Sequence, residues 1–164
     1  MLLSSSLYAK GNIEKLGDVL TLAVPAVAYG ATLYLDDEDG QTEFYKSYGT
    51  TAVVTHILKR TVREKRPNSN STTSFPSGHA SSAFSGASFI HKRYGLKYAI
   101  LPYISAIYTA YSRVEANKHY TRDVVAGAVV GIASSWYFVT PYKNLQINPV
   151  VGADYKGIQL NYKW

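Results

Sequence analysis

Residues 76–95 read PSGHASSAFSGASFIHKRYG, and the reading of this stretch decides the fold. Ser77 is a favoured N-cap, Gly95 a favoured stop, and no proline falls between them, so the stretch predicts a helix from near Ser77 to about Tyr94. The run before it, Asn68 to Ser74, is polar throughout and predicts a loop. Further upstream, Phe44, Tyr48, Ala52, Thr55 and Leu58 recur close to the helical period, which predicts a helix from Glu43 to about Arg66. Pro67 disfavours helical geometry at Arg66 and ends it.

Downstream, Lys97 to Arg113 predicts a mostly apolar helix with Pro102 in its first turns, where proline is tolerated. A last helix should start around His119 and run to about Val139, closed by Pro141. Two stretches are candidates for crossing a membrane. Val19 to Leu35 is uncharged over 17 residues, and Val124 to Tyr142, uncharged over 19, is the better of the two. The acidic cluster Asp36, Asp37, Glu38 and Asp39 reads as a solvated turn. The expected architecture is all-α, a bundle of about five or six helices over residues 11–143. Residues 1–10 read as a flexible N-terminus or the remnant of a signal peptide, and residues 144–164 as a tail with a short β-hairpin.

Composition narrows the chemistry. The net charge of +6 favours anionic partners such as phosphates or acidic headgroups, and no nucleic-acid-binding pattern accompanies it. Fifteen tyrosines suit a membrane–water boundary, although a small core also uses tyrosine. With no cysteine, disulfides and thiolate zinc sites are excluded.

Three clusters carry chemistry. Lys59 and Arg66, seven apart, fall on one face of the expected helix and can converge on a dianion, with Pro67 following. Alone, a basic helix end is more often a solvated face. Pro76-Ser77-Gly78-His79 sits at a helix N-terminus, where free N–H groups and the dipole favour an anion and Gly78 permits close approach; an ordinary serine cap reads the same way. Ser112-Arg113 is followed by His119 and Asp123, four apart, so the carboxylate can accept from one imidazole nitrogen and leave the other to attack. Alone, that spacing also fits a helix-stabilising pair. Together the clusters supply three cations, a helix N-terminus and two histidines, an inventory suited to attack on phosphorus.

The ordered pattern Lys-x6-Arg-Pro (59–67), Pro-Ser-Gly-His (76–79) and Ser-Arg-x5-His-x3-Asp (112–123) closely resembles the type 2 phosphatidic acid phosphatase family, which shares its core with vanadium haloperoxidases and bacterial acid phosphatases. Every position of the three-part motif is matched. The resemblance implies an all-helical core and a set of roles. His119 would be the nucleophile, Asp123 would orient it, and His79 would protonate the leaving oxygen and then activate water. Lys59, Arg66, Arg113, the Ser77 side chain and the Gly78 N–H would hold the phosphoryl oxygens. Ser112, Pro67 and Pro76 would support them. No metal or cofactor is expected.

The expected function is hydrolysis of a lipid or isoprenoid phosphate, of phosphatidic acid, phosphatidylglycerol phosphate, undecaprenyl diphosphate or lipid A type, through a phosphohistidine. The expected partners are that substrate and an anionic membrane surface, with no nucleic acid. Bacterial members commonly work outside the cytoplasm, which implies the periplasm or the inner membrane with the site on its periplasmic side. A soluble periplasmic acid phosphatase of broad specificity is the alternative, favoured by the marginal spans. A vanadate-dependent haloperoxidase and a non-catalytic anion-binding protein stand further off.

Overall fold

The computed structural model describes the backbone over residues 2–142, 145–151 and 156–162, and side chains over 11–142. Five helices follow in order: α1 (Leu2–Tyr34), α2 (Glu38–Val62), α3 (Gly78–Tyr94), α4 (Leu96–Glu115) and α5 (Thr121–Phe138). Strands β1 (Leu145–Val151) and β2 (Lys156–Tyr162) pair antiparallel, with Leu145 opposite Tyr162 and Val151 opposite Lys156. The expected all-α bundle and its terminal hairpin are both present.

The stretch that opened the sequence reading forms the central helix. Ser77 caps α3, its hydroxyl accepting from Ala80 N, and Gly95 ends it at φ 100°. Helices α1, α2, α4 and α5 all pack against α3. The interior they share is built from small and hydroxylated residues as much as from hydrocarbon. Ala80, Ala83, Ala87 and Phe89 are buried, and so are Ser47, Thr51, Ser81, Ser85, Ser88, Thr109 and Ser135. Apart from that of Ser88, which has no hydrogen-bond partner among the described residues, their hydroxyls are satisfied locally or across helices: Thr51 donates to Ser85 Oγ, Thr55 to Ser81 Oγ, and Ser135 to the Ser85 carbonyl.

The α3–α5 contact is the closest. A Cβ at Gly127 would lie 2.4 Å from the Ser77 carbonyl oxygen, and one at Gly131 would lie 2.5 Å from that of Ser81. Neither position has room for a side chain without parting the helices.

Four sequence expectations change. Helix α2 ends at Val62 because Arg63 turns left-handed at φ 50°, so Arg66 is in the following connection and does not share a helix face with Lys59. Helix α5 begins at Thr121, so His119 precedes it, and the four-residue spacing to Asp123 works through a helix cap rather than a helix face. The acidic cluster is solvated only in part: Asp36, Glu38 and Asp39 are exposed as expected, but Asp37 is not. Asp37 is buried, caps α2 through Gly40 N, and binds Arg93 and the Tyr94 hydroxyl. Residues 2–10, expected as a flexible start or the remnant of a signal peptide, have helical backbone and form the first turns of α1.

Among the described residues, Gly11–Tyr34 is the one helix long and apolar enough to cross a membrane. The ranking of the two candidate spans is thereby reversed, because α5 is only 18 residues long and carries Arg122 and Asp123 in its first turn.

Gly127→Ala should lower the thermal unfolding midpoint in detergent, at a cost of about 1–3 kcal/mol. An unchanged midpoint would show that α3 and α5 can separate freely.

Candidate active site

The C-terminal ends of α2 and α4 and the N-terminal ends of α3 and α5 meet at one end of the bundle, and the three sequence clusters meet with them. Asp123 is the N3 residue of α5. Its Oδ2 accepts the Tyr120 N–H at 3.0 Å, completing a capping box, and the Ser74 hydroxyl at 2.5 Å. His119 Nδ1 lies 3.5 Å from the same oxygen and 3.4 Å from Ser74 Oγ. One edge of the imidazole is thus committed to Asp123 and Ser74, which leaves Nε2 as the free ring nitrogen.

The α3 and α5 starts are joined directly, since Ser77 N–H donates to the Asp123 carbonyl at 2.9 Å. By helix geometry the amides of Gly78 and His79, in the first turn of α3, have no intrahelical acceptor. Lys59 Cε lies 3.7 Å from where a Gly78 Cβ would stand, so this lysine reaches the same helix start from α2. Its Nζ donates to the carbonyls of Thr73 at 2.8 Å and Pro76 at 2.5 Å. Lys59 therefore holds the connection as well as bringing charge.

Arg66 reaches the site from the connection itself. Its charge acts on both His79 and His119. Its Nε is buried without a hydrogen-bond partner among the described residues. Arg113, buried on α4, donates from Nε to Ser112 Oγ at 3.1 Å. It also donates from Nη1 to Asp18 Oδ1 and from Nη2 to the Glu14 carbonyl, both at 2.6 Å. His79 Nε2 lies 2.9 Å from Asp18 Oδ1. Pro76 is fully buried behind Ser77, and Pro67 is exposed at the edge of the connection.

Electrostatics favour neutral histidines. Burial first, then the charges of Lys59 and Arg66, pull His119 down to about 4, against the opposing pull of Asp123. Burial and Arg113 also lower His79, while Asp18 raises it. Burial and Arg66 bring Lys59 to about 8, which keeps it cationic at neutral pH. Among the described residues no group of three or more His, Cys, Asp or Glu could hold a metal ion.

Two residues at the site were not singled out in the sequence. Ser74, buried between His119 and Asp123, lay in a run of seven polar residues with nothing to distinguish it. Asp18 is 95 residues from Arg113, beyond the reach of any local spacing rule.

A model of the PAP2 superfamily matches residues 42–146. The chain belongs to the PAP2 superfamily. It is 32% identical over 170 aligned residues to the lipid A 4'-phosphatase of Helicobacter pylori, which covers 93% of this chain and 85% of that protein. The lipid A 1-phosphatase of Porphyromonas gingivalis is 40% identical over 70 residues, 41% of this chain and 16% of that protein. The crystal structure of Aquifex aeolicus LpxE has the same fold, with a TM-score of 0.58 and 22% identity over 80% of this chain and 92% of that one. The PAP2 match takes in all three motif clusters but begins after α1, which supplies Glu14 and Asp18.

The cause of the His119 shift makes it measurable. A lowered pKa means the neutral ring persists to lower pH, so nitrogen NMR of histidine-labelled protein should show His119 protonating only near pH 4. Protonation at the ordinary value near 6.5 would mean that neither burial nor the charges of Lys59 and Arg66 act on it as the structure has them.

Proposed function

We propose that this chain is a phosphoric monoester hydrolase that acts on a lipid or isoprenoid phosphate of the lipid A type, through a covalent phosphohistidine on His119 and without a metal. The observation that carries this reading is the state of His119. Its ring is buried with Nδ1 turned to Asp123 and Ser74 and Nε2 left free, and burial together with the charges of Lys59 and Arg66 favours the neutral form. A neutral imidazole with one committed nitrogen is a nucleophile, and fixed cations around it stabilise charge building on phosphoryl oxygens.

The reaction runs in two displacements. Nε2 of His119 attacks phosphorus, and the bond to the leaving oxygen breaks as His79 gives that oxygen its proton. Water then attacks phosphorus and passes a proton to His79, and the phosphorus–nitrogen bond breaks to release inorganic phosphate. Asp123 and Ser74 orient His119. Lys59, Arg66, Arg113 and the amides at the start of α3 hold the equatorial oxygens, with Ser77 adding its hydroxyl. Ser112 steadies Arg113 through its Nε–H. The buried Nε of Arg66 is a donor that an anion would satisfy.

The lipid part of the reading rests on the outer surface. Leu22 on α1 and Leu101 on α4 are 68% and 71% exposed, and Val53, Ile57, Ile104, Ile107, Val125 and Val129 extend the apolar exterior over α2, α4 and α5. An interior of small and hydroxylated residues under an aliphatic exterior suits a bilayer. A soluble acid phosphatase would expose that surface to water. An apolar groove of about 800 Å³ begins at Leu20, two residues past Asp18, and continues along α1 to Leu35 with Leu101 and Pro102 of α4 on its other wall. Its position suits an acyl chain whose phosphate lies at the bundle end. The relatives named as lipid A phosphatases support the choice of headgroup class.

Purified protein should release phosphate from lipid A or phosphatidic acid in EDTA. His119→Ala should lower kcat by about a thousandfold or more and leave no acid-labile phosphoenzyme to trap. Full activity in that variant removes the nucleophile, and loss of activity in EDTA removes the metal-free mechanism.

The site is proposed to face the periplasm. The chain has no cysteine, so Asn70→Cys on the exposed connection places a single thiol beside the site. In intact cells it should react with a membrane-impermeant maleimide. Labelling only after lysis places the site on the cytoplasmic face.

A further inference from the structure

Helix α1 is more than a hydrophobic wall, because one of its turns is fitted to the catalytic end. Asp18 Oδ1 accepts from Arg113 Nη1 at 2.6 Å and lies 2.9 Å from His79 Nε2, so a single carboxylate oxygen joins two elements of the site. The Glu14 carbonyl accepts from Arg113 Nη2. Between them, Gly17 has no room for a side chain, since a Cβ there would lie 1.9 Å from Ser112 Oγ and 2.8 Å from Arg113 Nη2. Three residues of one turn thus close around the Ser112–Arg113 pair.

We infer that Asp18 is a positioning residue of the reaction, holding His79 in the orientation and tautomer that deliver a proton to the leaving oxygen, while Arg113 keeps its bonds to Ser112 Oγ and the Glu14 carbonyl. The inference rests on the two-step reading above, in which His79 is the acid. It adds a residue outside the matched span 42–146 and assigns the working atom of His79.

A carboxylate can only accept, so the hydrogen on Nε2 stays with Asp18 through the whole cycle. Nδ1 is then the nitrogen that changes protonation. In the first step Nδ1–H passes its proton to the leaving oxygen as the phosphorus–oxygen bond breaks and the bond to His119 Nε2 forms. In the second, water bonds to phosphorus, its proton moves to Nδ1, and the phosphorus–nitrogen bond breaks.

Asp18 has a second effect through charge. The groups acting on His79 are Arg113 from α4, Arg66 from the α2–α3 connection and Asp18 from α1. Lys59 of α2 and Asp123 of α5 act on His119 instead. Both arginines disfavour a protonated His79, and Asp18 is the charge that opposes them. Without it the acid would lose its proton at lower pH.

The experiment compares two esters. A lipid alkyl phosphate has a poor leaving group and needs an acid, whereas p-nitrophenyl phosphate leaves as a stable phenolate and does not. Asp18→Asn keeps the shape and removes the charge. It should lower kcat/KM, which reports departure of the leaving group and not the hydrolysis step common to both esters, about 10- to 100-fold on the alkyl phosphate and by less than about threefold on the aryl phosphate. The descending limb of its kcat/KM profile should move to lower pH. Asp18→Ser, read in the same way, guards against a folding defect peculiar to the amide.

His79→Ala separates the two levels of the argument. If, in kcat/KM, His79→Ala loses less on the aryl than on the alkyl ester while Asp18→Asn loses equally on both or nothing on either, Asp18 is not the positioning residue while the acid assignment stands. If His79→Ala loses kcat/KM equally on both esters, the acid assignment fails beneath it. An Asp18→Asn enzyme with undiminished turnover and tighter inhibition by orthovanadate would make Asp18 a competitor of the phosphoryl group, which also overturns the inference.

Discussion

The site depends on how closely α3 and α5 approach. Gly127 and Gly131 let the α5 backbone lie directly against the carbonyls of Ser77 and Ser81. That approach puts the first turns of the two helices side by side, and the Ser77 N–H closes the gap by donating to the Asp123 carbonyl. The anion-binding start of α3 and the carboxylate behind His119 are therefore set by one backbone contact. The α2–α3 connection is hung from it: Lys59 ties that connection to the same helix start, and Ser74 ties it to Asp123. A helix pair a few ångströms further apart would keep all the residues and lose their geometry.

The other end of the bundle is held by different forces. Arg93, buried at the end of α3, pairs with Asp37 ahead of α2 and with Glu43 within it, and donates to the Thr140 carbonyl beyond α5. One guanidinium thus gathers three elements beside the core cluster of Phe44, Phe89, Ile90 and Val139. Buried pairs of this kind are strongly destabilising when one partner is lost, which makes them effective at fixing a single arrangement. The bundle has one end fixed by satisfied charges and one end with a surplus of cations, and the chemistry lies at the second.

Much of this was legible in the sequence, for reasons that can be named. The extent of α3 followed from Ser77 and Gly95, because caps are local. The three clusters could be recognised because each is short and internally spaced. Errors came wherever a local rule met a tertiary demand. Periodicity carried α2 through to Arg66, but Arg63 leaves the helix and the connection folds back, with Arg66 N–H on the Ser71 carbonyl. Asp37 looked as solvated as its acidic neighbours because its partner, Arg93, is 56 residues away. Asp18 was missed for the same reason, and Ser74 because its neighbours Thr73 and Ser71 have the same chemistry but face water.

The manner in which the α2–α3 connection is held has an evolutionary corollary. Lys59 grips it by the carbonyls of Thr73 and Pro76, and its own main chain closes it through Arg66 with Ser71 and Ser74 with Glu64. Backbone groups are common to all residue types, so this grip does not depend on which side chains the connection bears. Residues 67–73 are all exposed beside the catalytic end. Selection can rewrite that rim to suit a new headgroup while leaving the reacting atoms where they are, which separates the adaptation of specificity from the preservation of rate.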